Sequence, residues 1–181
     1  LKKITQQLSL YASASNGFSP PSLAEVRPST GAFNNSLNPE RGTSYEAGLK
    51  MNSESGWSIN LAAYDFRLKE TIVIQRDASG ADFFINAGST TQQGVELSVA
   101  WAKSLSAAIL KSIRVWTSQT FNHYTFDHYV NDNNDFSGNP LTGVPAITVA
   151  GGIDLVFKRG WYANMTSYYS DRIPMNDAAT T

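Results

Sequence analysis

The chain has 181 residues, 14 basic and 15 acidic, with a formal net charge of -1, so it lacks the basic surplus that nucleic-acid recognition draws on. It contains no cysteine, which excludes a disulfide framework and a thiolate metal site, and charged residues make up only 16% of it, below the roughly 25% of soluble domains. No apolar run reaches the length of a transmembrane helix, but a barrel strand needs only about 9–11 residues and escapes a hydropathy scan.

Period-2 alternation recurs along the chain, and helical periodicity is scarce. Leu8, Leu10 and Ala12 against Ser9, Tyr11 and Ser13 predict a strand over 4–14. Tyr45, Ala47, Leu49 and Met51 against Glu46, Gly48 and Lys50 predict a second over 43–51. Trp57, Ile59 and Leu61 begin a third over 57–67. "ETIVIQ" and "DFFINA", separated by "RDASGA", predict a small hairpin with Ser79 and Gly80 in its turn. Val95, Leu97, Val99 and Trp101 against Gly94, Glu96, Ser98 and Ala100 predict a strand over 91–102. "AKSLSAAILK" (102–111) reads as a connection with room for a turn of helix. Ile113, Val115 and Thr117 lie in a strand over 111–123. Ile147, Val149, Gly151, Ile153, Leu155 and Phe157 make the longest apolar comb, over 145–157. Trp161, Ala163, Met165 and Tyr169 close the series over 161–170, giving about seven principal strands.

The connections sort by length. The stretches 15–42, 68–90 and 124–144 are long and polar, whereas 52–56, 102–111 and 158–160 are short, and the two kinds alternate. In an antiparallel meander successive connections fall at opposite ends, so all long loops lie at one end. Outer-membrane barrels have this arrangement, with short periplasmic turns and long extracellular loops. Trp57, Trp101 and Trp161 each stand at a short-turn boundary, where an aromatic girdle at the membrane–water interface would lie. Glu46, Lys50, Glu96 and Asp154 sit mid-strand on the face opposite the apolar combs. The expected class is all-β: a transmembrane antiparallel up-and-down β-barrel, here a partial segment. The competing reading is a soluble extracellular β-domain that binds carbohydrate or protein through its loops.

Four segments occur in order: "YASASNGFSPPSLAEV", "LNPERGTSYEAGLK", "INAGSTTQQGVELSV" and "PLTGVPAITVAGGIDLVF". Together, over about 8–170, they resemble the C-terminal part of the β-barrel of a TonB-dependent outer-membrane receptor of the siderophore-receptor type. The resemblance implies that residues 1–181 are one partial barrel domain of a larger barrel of about 22 strands, with the plug domain and closing strands outside it. It further implies a bacterial outer-membrane location and contact with outer-membrane lipid. The ligand would be a ferric siderophore or a similar nutrient, and energised transport would require TonB acting through the plug. No cofactor and no enzymatic activity are implied.

Candidate ligand contacts under this reading are Arg27, Arg67 and Arg76, whose guanidinium groups suit an anionic chelate, and Tyr124 and Tyr129, whose rings suit an aromatic one. Glu46, Lys50 and Glu96 are expected to face the lumen and the plug. Other chemistry is sparse. His123 and His128 with Asp127 have odd spacing that puts the imidazoles on opposite faces of a strand, so no metal site is expected. "NDNNDFSGN" (131–139) lacks the bidentate Glu of a calcium loop. No serine sits in a G-x-S-x-G context, and no glycine-rich loop leads from a strand into a helix.

Overall fold

The structure, a computed structural model, describes residues 1–28, 31, 33–76, 79–86, 88–131 and 134–179, the side chains of Gln75, Arg76 and Asn131 excepted. The elements run β1 (Lys2–Lys3), β2 (Leu8–Ser19), α1 (Leu23–Val26), β3 (Glu40–Asn52), β4 (Trp57–Lys69), β5 (Ile72–Arg76), β6 (Asp82–Asn86), β7 (Ser89–Ser104), β8 (Leu110–His128), β9 (Val130–Asn131), β10 (Asn134–Asp135), β11 (Ile147–Phe157) and β12 (Tyr162–Ser170). One eight-stranded sheet takes the order β1-β2-β3-β4-β7-β8-β11-β12, every pairing antiparallel. It is an up-and-down sheet with no crossover, the wall of an unclosed barrel.

The long strands stand where the alternation placed them, with two shifts. The first begins at Leu8 rather than residue 4, because Thr5 Oγ1 accepts from the backbone N–H groups of Gln7 and Leu8 and folds the chain back onto Lys2–Lys3. That adds a further tight turn at the short-turn end. The connection after β7 holds no helical turn: both strands continue inward, and Leu105 N bonds Lys111 O at 2.8 Å. The strands also outrun their apolar stretches at the loop end, since polar β-branched and aromatic residues sustain a ladder as well as apolar ones do. β8 reaches His128 and β2 reaches Ser19.

Register makes the two faces explicit. One row runs Leu10–Leu49–Leu61–Leu97, and the next runs Ala12–Ala47–Ala63–Val95–Phe121–Ile147. Directly above it, Asp65, Gln93 and His123 are register partners, so the same face turns polar at one level on three adjacent strands. At the other end, Trp57 pairs with Trp101, their ring centroids 6.4 Å apart. From Trp57 to Asp65 is about 27 Å along the strand, or about 20 Å along the normal at a barrel tilt near 40°. An apolar band in an outer-membrane barrel is about 25 Å tall.

The short turns need their glycines. Gly56 has φ 95°, and a Cβ there would run into the Ala102 carbonyl oxygen, which is why the β3–β4 turn lies so close to β7. The long connections are structured. α1 is held by a capping box between Ser22 and Glu25. β5 and β6 form the expected hairpin, with Gly80 at φ 82° in its turn.

Candidate functional site

The face opposite the apolar rows is a mainly polar wall, with Phe66 and Leu68 on it near the loop end. Glu46 pairs with Ser13 and Tyr64, Lys50 with Ser9 and Asn60, and Glu96 with Ala62 and Thr120. All three therefore project from this wall, as the alternation predicts. Lower down, Arg114 Nη1 bonds Asp154 Oδ2 at 2.9 Å and its guanidinium lies 5.7 Å from the Trp116 ring.

Aromatic rings lie flat against this wall because glycines sit beneath them. Tyr11 pairs with Gly48, Tyr64 with Gly94, and Trp116 with Gly152. A Cβ on Gly48 would come within 2.6 Å of the Tyr11 ring, and one on Gly152 within 3.0 Å of the Trp116 ring. A side chain at any of these glycines would lift the ring into the open space of the lumen. The alternation put Tyr11, Gly48 and Gly94 on this face but could not pair them with their neighbours, because cross-strand partners are set by register.

Near the loop end of the wall, the Tyr64 hydroxyl hydrogen-bonds the Tyr124 hydroxyl at 2.6 Å and donates to Asn122 Oδ1 at 3.0 Å. The rings meet edge to face at 6.3 Å. Tyr124 is thus a wall residue with a fixed orientation, its register partner being Gln92. Tyr64 and Asn122 belong to the same constellation but carry no local motif.

Above the wall the loops are stitched together. Asn86 Nδ2 donates to the Asn38 and Glu70 carbonyls, and its Oδ1 accepts from Asn38 N at 2.7 Å. Asn34 Nδ2 donates to Phe84 O at 2.7 Å. The segment after β12 docks on the β8–β11 loop through Asp177, which accepts from Thr142 Oγ1 at 2.7 Å and from Tyr129 OH at 3.2 Å.

The remaining candidates scatter. Arg27 caps α1 and stacks over Phe33 at 5.6 Å. Tyr129 is only 3% exposed, its ring between Phe126 at 4.8 Å and Phe136 at 5.6 Å, so here it packs the loop instead of presenting itself to a ligand. Arg67 does not face the lumen: it pairs with Thr43 and Thr91 on the apolar-row face, where Asp65 holds it through two hydrogen bonds at 2.9 and 3.2 Å. The backbone of Arg76 ends β5, and its side chain lies outside the described residues. Trp161 follows the 3-10 turn Lys158–Gly160 at the short-turn end and is 74% exposed. His123 and His128 are both on β8, partnered with Gln93 and Ser89. In 131–139, Asn133 lies outside the described residues; Asp135 Oδ1 accepts from Ser137 N at 2.9 Å.

A family model described as "TonB dependent receptor-like, beta-barrel" matches residues 2–181. Among solved structures, the siderophore receptor PiuA from Acinetobacter baumannii aligns at 18% identity and TM-score 0.71, over 98% of this chain and 26% of that one. The ferric yersiniabactin uptake receptor FyuA from Yersinia pestis aligns at 15% identity and TM-score 0.68, over 97% of this chain and 25% of that one. The copper transporter OprC aligns at 16% identity and TM-score 0.66, over 90% of this chain and 24% of that one. The chain thus spans about a quarter of the length of these receptors.

Proposed function

We propose, since this chain belongs to the TonB-dependent receptor family of bacterial outer-membrane β-barrels, that it forms part of the barrel of an uptake receptor for a ferric siderophore. The observation that carries this reading is the asymmetry of the sheet. An apolar face bounded by Trp57 and Trp101 below and by Asp65, Gln93 and His123 above backs a polar wall that leads from the loops toward the short-turn end. In the complete receptor that wall lines the lumen. Glu46, Lys50 and Glu96 then meet the plug through polar, water-bridged contacts. Arg27 and Tyr124 are the ligand contacts on the loop side: the arginine pairs with chelate oxygens, and the tyrosine offers a ring edge and a hydroxyl; Arg76 is a candidate on its sequence position alone. Energy from TonB, acting on the plug, releases the ligand inward.

The siderophore receptors among the structural relatives support iron as the cargo, and the copper transporter among them names the alternative. The test is uptake by iron-starved cells carrying the intact receptor, with and without TonB. Labelled ferric siderophores are expected to enter only when both are present. Uptake that persists without TonB, or that follows copper and not iron, overturns the proposal.

A further inference from the structure

We propose that the apolar-row face of β8, β11 and β12 is an interface at which two copies of the receptor pair within the membrane. The proposal rests on the membrane location of the barrel and is independent of the ligand it imports. On this face β8 carries Ile113, Val115, Thr117, Gln119 and Phe121 in turn. Thr117 pairs with Gly151, and Gly151 with Ser167. Gln119 pairs with Leu97 and Val149. These four polar or small residues interrupt an apolar surface. Leu97 and Val99 border them on β7, Val149 and Ile153 on β11, and Met165 and Tyr169 on β12. Gln119 stands four residues beyond Val115, the partner of Trp101, which is about 13 Å along the strand and about 10 Å along the normal. It therefore lies inside the apolar band and short of His123, where the face turns polar.

A carboxamide that faces hydrocarbon must find its partners in protein, since acyl chains offer none. Bonds within the strand pair satisfy only part of this one. Thr117 Oγ1 donates to Ala150 O at 3.1 Å and accepts from Gln119 Nε2 at 3.5 Å. Gln119 Oε1 has no hydrogen-bond partner among the described residues, and the amide nitrogen keeps a second N–H. What is left over is one donor and one acceptor on the same planar group. Such a group is complementary to itself. Across a twofold axis along the membrane normal, each Gln119 donates to the other's Oε1 and accepts in return. This selects a second copy as the occupant, because one residue then satisfies both sides. Gly151 and Ser167 are short, so two walls can come close enough for amide to meet amide, as at small-residue contacts between transmembrane segments.

The experiment uses the intact receptor in phospholipid vesicles. Energy transfer between donor- and acceptor-labelled copies is read as the protein-to-lipid ratio rises, for the wild type and for Q119L. Heat-modified gel mobility establishes that both hold a folded barrel. The wild type is expected to pair, and Q119L to pair about 10-fold more weakly. A second measurement is made in cells under mild oxidation, against the parent receptor as baseline. Gln119→Cys is expected to cross-link to its own copy, because a disulfide needs Cα atoms within about 7 Å. Leu10→Cys, in the same register row four strands away, is expected not to. A wild type that stays monomeric, or equal pairing by Q119L, overturns the interface. Equal cross-linking at both positions would mark random collision and overturns it too. Cross-linking of Gln119→Cys to a different barrel alone would assign the face to another partner and overturn self-pairing. Failure of the uptake test moves none of these readouts.

Discussion

The barrel wall and the loop cluster above it follow opposite packing rules. Across the wall, one layer of strands carries side chains on both faces, and Leu10, Val95, Val115, Phe121 and Ile153 all stay more than a third exposed. The buried residues among those described are Pro28, Thr90, Tyr129 and Pro174, in the loops or at the loop end of β7. The wall is held by hydrogen-bonded ladders, and its apolar face is the one an outer-membrane barrel turns to lipid. The loop cluster builds a small core of its own from Phe126, Tyr129 and Phe136. Burial thus marks the part of this chain farthest from the membrane, the reverse of a soluble domain, because hydrocarbon does the covering that protein atoms do elsewhere.

The sharpest way to break the comparison is a charge in the wall. Leu97 lies mid-strand on the apolar face between Leu61 and Gln119, and Ser98 lies beside it on the polar face between Asn60 and Ser118. In the intact receptor, Leu97→Arg is expected to cost about 2–4 kcal/mol, while Ser98→Arg costs under about 1 kcal/mol. Guanidinium unfolding in phospholipid vesicles measures both. Equal costs would mean that the apolar face does not meet lipid.

The loop cluster offers the complementary test. Tyr129→Ala removes a ring packed on two others and the bond to Asp177. The local cost is about 3 kcal/mol, near the low end for deleting a buried aromatic side chain. Hydrogen exchange in 129–146 and 171–179 should then accelerate about 100-fold, while β7 exchanges as before. Acceleration in β7 of similar size would show that wall and cluster unfold as one unit.

How far the sequence could be read follows from the same division. Wall strands were legible because a face against lipid and a face against water impose strict alternation, as in Gln93 to Trp101. The placement of Glu46, Lys50 and Glu96 on the face opposite the apolar rows came with it, since side-chain direction needs only parity. Arg67 shows the limit: it is the last residue of the strand predicted over 57–67 and shares parity with Ala63 and Asp65, so its outward direction was available, but it borders the polar stretch 68–90 and groups with the loop candidates. The strand runs on to Lys69 because ladder bonds extend past the membrane edge. Tyr129 was beyond reach, since its partners Phe136 and Asp177 are brought to it by the β8–β11 loop and by the segment after β12. No periodicity encodes such contacts.

The smallest expected effect is one of pH, and it too separates cluster from wall. The Ser137 hydroxyl and then its backbone N–H hold the Asp135 carboxyl below the usual carboxylate range. Ser137 Oγ in turn accepts from Tyr129 N at 3.0 Å, so this exposed turn abuts the cluster core. A group whose folded pKa lies below its unfolded value adds stability above the unfolded pKa, near 3.9 for Asp, and loses it as pH falls through the folded one. Protection of the Tyr129 amide should therefore hold from neutrality to about pH 5 and decline in the acid range below about 4. Asp135→Asn should flatten that decline, because the amide cannot titrate. Since the carboxylate is fully exposed, the change is confined to the turn, and β7 amides serve as the internal reference. A decline of the same size in Asp135→Asn would trace it to another group, and the Asp135–Ser137 turn would then be a passive edge of the cluster.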